Sequence, residues 1–192
     1  MNQITEKESL GIIQEMIHRA KESYLRFNFY FLLWGWLLMF AGMGEYILDR
    51  QVQSEYAWVV WPAVGIIGGI IAGVHGAKKG KEAGAMTFMD RVFGYVWTGF
   101  VITLILLIVL SVSNRMNPGS YIMLLTGLPT FISGGVLRFK PLIIGGVLFW
   151  FFGFFSFFYF DEYRSLIFSL SIITGYILPG YMLKKHEENA RV

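Results

Sequence analysis

The sequence predicts an all-α integral membrane protein, a six-transmembrane-helix bundle preceded by an amphipathic N-terminal helix. Three observations carry this. Apolar stretches recur six times along the 192 residues, each of about 20 residues and so able to cross a hydrocarbon core of ~30 Å at ~1.5 Å per residue. Basic residues gather on alternate sides of these stretches. The apolar–polar alternation of barrel strands is missing, and irregular backbone in lipid would leave its hydrogen bonds unmet, so helices are the spanning element.

The spans read as Phe27–Leu48, Ala57–Ala77, Val92–Ser113, Gly119–Leu137, Pro141–Phe160 and Ser165–Leu183. Five contain no Asp, Glu, Lys or Arg, and the first contains only Glu45. Residues 1–26 then form a cytoplasmic amphipathic helix, 27–183 the transmembrane domain and 184–192 a basic cytoplasmic tail. The first apolar run is long enough to span, so it reads as a helix rather than a cleavable signal peptide.

Orientation follows from Lys and Arg. Lys7, Arg19, Lys21, Arg26, Lys78, Lys79, Lys81, Arg91, Arg138, Lys140, Lys184, Lys185 and Arg191 fall on one side, thirteen in all, against Arg50, Arg115 and Arg164 on the other. By the positive-inside rule both termini are cytoplasmic. A missed or extra span would scramble the alternation, so the count also supports six crossings. Trp34, Trp36, Trp58, Trp61, Tyr159 and Tyr163 lie near span ends, where amphipathic rings favour headgroup depth.

Composition removes several function classes. Apolar residues make up 55% and charged residues 15%, with a formal net charge of +3 and no basic stripe, which argues against nucleic acid as a partner. Cysteine is absent, which excludes disulfides, thiolate metal sites and thiol nucleophiles. Membrane lipid is the partner the composition demands.

Ahead of the first span, Thr5-Glu6-Lys7-Glu8 has the form of a capping box. Leu10, Ile13, Ile17, Ala20, Tyr24 and Phe27 follow at helical spacing and mark one apolar stripe. Glu15 with Arg19 and Glu22 with Arg26 are favourable pairs on the polar side. Such a helix rests at the interface or under the bundle, or docks a protein partner or dimer mate through Leu10, Ile13, Ile17 and Tyr24.

The second span carries Gly65, Gly69, Gly73 and Ala77 on one line, with Gly68, Ala72 and Gly76 on the next. Small residues every fourth position let helix backbones approach closely in lipid, within one chain or in a homo-oligomer. Glu45 is the only carboxylate inside a span, but 18 residues after Phe27 is about 27 Å of rise, which puts it at the outer interface. His75 has no partner at metal-binding spacing.

The fourth span has the most polar centre, with Thr126, Gly127, Pro129, Thr130 and Ser133. Pro129 removes the donor for the Leu125 carbonyl. Such a break either exposes backbone to a substrate or ion or is healed by nearby hydroxyls. Thr126, Pro129, Thr130, Ser133 and Glu45 are therefore the substrate-path candidates. The fifth span, dense in Phe, reads as packing and lipid contact.

Phe29-Tyr30-Phe31-Leu32-Leu33-Trp34-Gly35-Trp36, Gly134-Gly135-Val136-Leu137-Arg138-Phe139-Lys140-Pro141 and Ile177-Leu178-Pro179-Gly180-Tyr181 resemble a group of small six-helix bacterial inner-membrane proteins with no assigned activity. The resemblance implies that location and carries no functional residue. An enzyme would need a recognisable constellation, and only Glu45, Asp49, Asp161 and Glu162 could converge. The expectation is thus a non-enzymatic protein without catalytic residues, cofactor or metal, an accessory or sensory component with a protein partner. A small transporter or channel working through the fourth helix is the alternative.

Overall fold

The computed structural model describes residues 6–82, 88–159 and 163–189, and these are helical apart from short turns. Helix α1 is Glu6–Arg50, α2 Val60–Glu82, α3 Phe88–Ser113, α4 Gly119–Val136 and α5 Lys140–Tyr159. A single 3-10 turn, Ala57–Val59, leads into α2. The last span is built from α6 Arg164–Ile172, a π-helical turn Ile173–Ile177 and α7 Leu178–Asn189. Six helical stretches are long and apolar enough to cross a membrane: Phe27–Arg50, Ala57–Lys78, Phe88–Ser113, Gly119–Val136, Lys140–Phe158 and Arg164–Lys185.

No break separates the N-terminal segment from the first span. Helix α1 runs for 45 residues, about 68 Å at ~1.5 Å per residue, more than twice the hydrocarbon thickness. The side chains of Leu10, Ile13, Ile17, Ala20 and Tyr24 lie outside the described residues, as do Thr5, Asp161 and Glu162.

Helices α3 and α4 end alike. Arg115 and Arg138 take left-handed backbone conformations, with φ of 55° and 50°. Met116 N bonds the Ser111 carbonyl and Arg115 N that of Val112; Phe139 N bonds Gly134 and Arg138 N bonds Gly135. These are Schellman closures with arginine where glycine is usual. The second turns the chain within three residues, so α4 and α5 are antiparallel neighbours.

Glycines at a seven-residue interval make the tightest seams. A methyl on Gly134 would lie 2.5 Å from the Ile143 nitrogen, and one on Gly146 2.7 Å from the Phe131 nitrogen. Gly127 abuts the Trp150 indole, and a methyl on Gly153 would meet Leu124 at 3.0 Å. On α1, Gly35 faces Ile177 and Gly42 faces Ser165 and Ser169. Seven residues are close to two helical turns, so each pair stays on one seam of an antiparallel crossing.

The core lies where α1, α4, α5 and the last span meet. Phe149, Met123, Leu142, Ile172 and Leu183 are fully enclosed there. Helix α3 reaches this core through Phe93, stacked on Phe27 at 3.7 Å, and Trp97, whose ring lies 6.0 Å from that of Phe31. Helix α2 packs on α1 and leaves most of its surface to lipid.

The two glycine lines of α2 differ in their surroundings within this chain. Nothing lies within 4 Å of where a side chain would begin at Gly65, Gly69 or Gly73, and Ala77 is exposed. The adjacent line packs instead: Gly68 sits against Trp34, and Gly76 against the Tyr30 hydroxyl. Bulky indole and phenol rings on α1 occupy the space that those two glycines leave.

Candidate functional site

The polar centre of α4 is enclosed. Thr126, Thr130 and Ser133 are each at least 96% buried, and Pro129 is buried with them. Thr130 has no exposed surface at all, so no water-sized space touches it in this conformation. The hydroxyls turn back on their own helix. Thr126 donates to the Ile122 carbonyl at 2.7 Å and Thr130 to that of Thr126 at 2.8 Å. The Trp150 indole donates to the Leu124 carbonyl at 3.0 Å, tying α5 to the turn before Pro129. The hydroxyls thus serve carbonyls on either side of Leu125, one turn before Pro129.

An irregular backbone meets this helix, which itself runs unbroken through Pro129. Within the last span the Leu178 amide bonds the Ile173 carbonyl, five residues back instead of four. The cause lies one residue on. Pro179 has no amide hydrogen for the Gly175 carbonyl, and its ring crowds that turn, so the backbone widens ahead of it. Ser171 donates to the Phe168 carbonyl at 2.7 Å and Thr174 to that of Leu170 at 3.0 Å, supporting carbonyls of the turns before.

Tyr176 sits in the widened turn, 2% exposed. Its ring contacts Phe31 of α1, Phe149 of α5 and Trp97 of α3, with centroids 5.5, 5.1 and 6.4 Å away. Its hydroxyl lies 3.4 Å from that of Thr130. Thr130 has one proton and gives it to Thr126, so Tyr176 is the donor in this contact. Tyr176 therefore joins five of the six spans at one point. Gly175 beside it is pressed against Phe149, and a methyl on Gly145 would lie 2.8 Å from the Gly175 carbonyl.

Sequence reasoning missed Tyr176 and the π turn. A signal existed in Pro179 within the last span, since a proline there leaves the Gly175 carbonyl without its donor as Pro129 does that of Leu125. Among the described residues, the buried Ser133 Oγ and Asn28 Oδ1 have no hydrogen-bond partner.

Glu45 is not part of this cluster. It lies half-buried near the far end of α1, where Ser165 donates to its carboxylate at 2.6 Å. The Arg164 guanidinium is close enough to interact electrostatically with Glu45. One turn along, the Ser169 hydroxyl is shared between the Ser165 carbonyl at 2.9 Å and the Met39 carbonyl at 3.2 Å. These groups clasp α1 to the start of the last span.

His75 stacks on Phe29 with centroids 3.8 Å apart. On α5, Phe149 is enclosed while Phe151, Phe154, Phe157 and Phe158 face outward. Among the described residues, no three His, Asp or Glu side chains gather where a metal ion could be held. Tyr176 Oη, Thr130 Oγ1 and the Thr126 backbone carbonyl form one polar run inside the bundle.

No protein-family model matches the chain. The searches of curated proteins and of solved structures likewise give no match.

Proposed function

We propose that the protein is a non-enzymatic multi-pass component of a bacterial inner membrane, with both termini cytoplasmic, that acts through a protein partner engaged by the extension of α1. The carrying observation is the unbroken helix Glu6–Arg50. Residues 6–26 extend it by about 30 Å beyond the first span, and their apolar stripe is of the kind that seats in a partner's groove. The same helix lines the last span, through Gly35 against Ile177 and Gly42 against Ser165. Movement in the core therefore has a rigid route to the extension, which is what a sensory or accessory subunit needs. The orientation rests on the thirteen-to-three distribution of basic residues.

Photo-crosslinkers at Ile13 and Ile17, introduced in cells, should trap one reproducible adduct that disappears with Leu10→Asp. No adduct, together with unchanged behaviour of an Ile13→Asp/Ile17→Asp variant, would overturn the reading.

One observation favours a second reading, a small transporter or channel: the Pro129 turn of α4 meets the π turn ahead of Pro179 through Thr130 and Tyr176. Purified protein in vesicles should then pass a small solute or ion, and Thr130→Val should change that flux. Flux indifferent to Thr130→Val and Pro129→Ala would remove these residues from the pathway.

A further inference from the structure

We propose that the π turn of the last span is a two-state joint, held in its present register by the contact between Tyr176 and Thr130. The inference rests on neither functional reading. An isolated π turn has poorer hydrogen-bond geometry than the α-helix around it and persists only where its surroundings hold it. Pro179 favours the widened turn from within the helix, and the neighbouring helices hold its register from three sides. Gly35 of α1 meets Ile177, Gly145 and Phe149 of α5 enclose Gly175, and Thr130 of α4 binds the Tyr176 hydroxyl.

The alternative state is defined by the backbone. If the Leu178 amide moves from the Ile173 carbonyl to that of Thr174, the extra residue leaves the turn. The two halves of the span then rotate by about 100° and slide about 1.5 Å relative to each other. Tyr176 cannot keep its place against Thr130 through such a rotation.

Two further observations mark the present register as one of a pair. Ser133 Oγ, one turn beyond Thr130 on the same face of α4, is buried and has no partner. Asn28 Oδ1 is likewise unpartnered, 3.8 Å from where a side chain on Gly180 would begin. Asn28 Oδ1 lies beside the segment that the joint would move, and Ser133 Oγ is one turn along α4 from the Thr130 that holds it; a dry core does not ordinarily leave such atoms unmet. In the shifted state they gain water or backbone partners.

The absence of cysteine makes the test direct. Ser133→Cys is the only thiol in the full-length protein, reconstituted in phosphatidylethanolamine–phosphatidylglycerol vesicles and exposed to a water-soluble maleimide. Labelling should be slow in this background. It should rise about three- to tenfold with Tyr176→Phe or Thr130→Val, the change expected for loss of one hydrogen bond. Thr130→Ser keeps the hydroxyl and should stay slow. Spin labels on Lys184→Cys and Arg138→Cys, measured in a separate cysteine pair, should gain a second distance population in the Tyr176→Phe background. Equal labelling in every variant would overturn the proposal. So would a rise with Thr130→Ser as large as with Thr130→Val, since loosened packing would then be the cause. A single unchanged distance in the spin-labelled pair would also exclude a two-state joint.

Discussion

Ser165 donates a 2.6 Å hydrogen bond to Glu45, and Gly42, one turn earlier on α1, lets the two backbones come close enough for it. A side chain at Gly42 would meet the Ser165 carbonyl at 2.8 Å and collide with the Ser169 hydroxyl. The far ends of the first and last spans are thus fastened by a charge-assisted bond set into a glycine notch.

Removing that bond should be measurable. Ser165→Ala is expected to cost about 1–2 kcal/mol, the lower range for a hydrogen bond to a charged group that is partly exposed. Glu45→Gln keeps an acceptor and should cost less than Glu45→Ala. Reversible unfolding in mixed micelles of dodecyl sulfate checks both. A Ser165→Ala transition that superimposes on the parent would show that the bond contributes nothing.

The α4–α5 seam should tolerate no added methyl. Gly134→Ala and Gly146→Ala place a carbon 2.5 and 2.7 Å from backbone nitrogens of Ile143 and Phe131. Backbone cannot yield as a side chain can, so each substitution should cost about 1–3 kcal/mol or more. Thermal aggregation of the purified protein in detergent reports this, and unaltered stability would mean that the hairpin is looser than described.

The two glycine lines of α2 should separate in the same assay. Gly68→Leu would drive its side chain into Trp34, whereas Gly69 has open space. Gly69→Leu should leave the fold intact and gain slightly in helix propensity, about 1 kcal/mol at most. If Gly69→Leu proves the more damaging of the two, α2 is rotated relative to this structure or is covered by another chain.

Arg138 offers a gain rather than a loss. It holds φ at 50°, a conformation that costs an L-residue about 1 kcal/mol and glycine almost nothing. Arg138→Gly should raise stability by up to about 1 kcal/mol, part of it offset by the freer unfolded chain. A drop in the unfolding midpoint would mean that the arginine side chain contributes more than the turn geometry costs it.

Much of the architecture is legible without coordinates. All six membrane-length helices begin and end within four residues of the expected spans, because apolar length and charge placement are properties of the chain that the bilayer reads directly. The helical run before Phe27 is present, but its continuity with the first span was not readable, since neither glycine nor proline marks that boundary and capping cues alone do not set it. The four-residue glycine stripe of α2 left open whether it packs within one chain or between copies, and within this chain it is the adjacent line that packs. Both lines are built of Gly and Ala, and the position of Trp34 and Tyr30 on the neighbouring helix distinguishes them. The seams at Gly35 and Gly42, Gly127 and Gly134, and Gly146 and Gly153 were visible as seven-residue intervals once antiparallel neighbours were known.

The candidate site divides in the same way. Pro129 and its hydroxyls could be found from the chain, because a proline's missing donor is a local fact. Their meeting with Tyr176 could not, since residues 46 positions apart are brought together only when α4 and the last span pack. What the sequence determined by itself is the set of helices, since each must satisfy its own backbone in lipid whatever its neighbours are. Which faces touch, which glycines are filled and where the Pro129 turn of α4 meets the π turn was decided by tertiary packing. Inside a bilayer, apolar faces are equally content against lipid, and shape complementarity alone chooses among them.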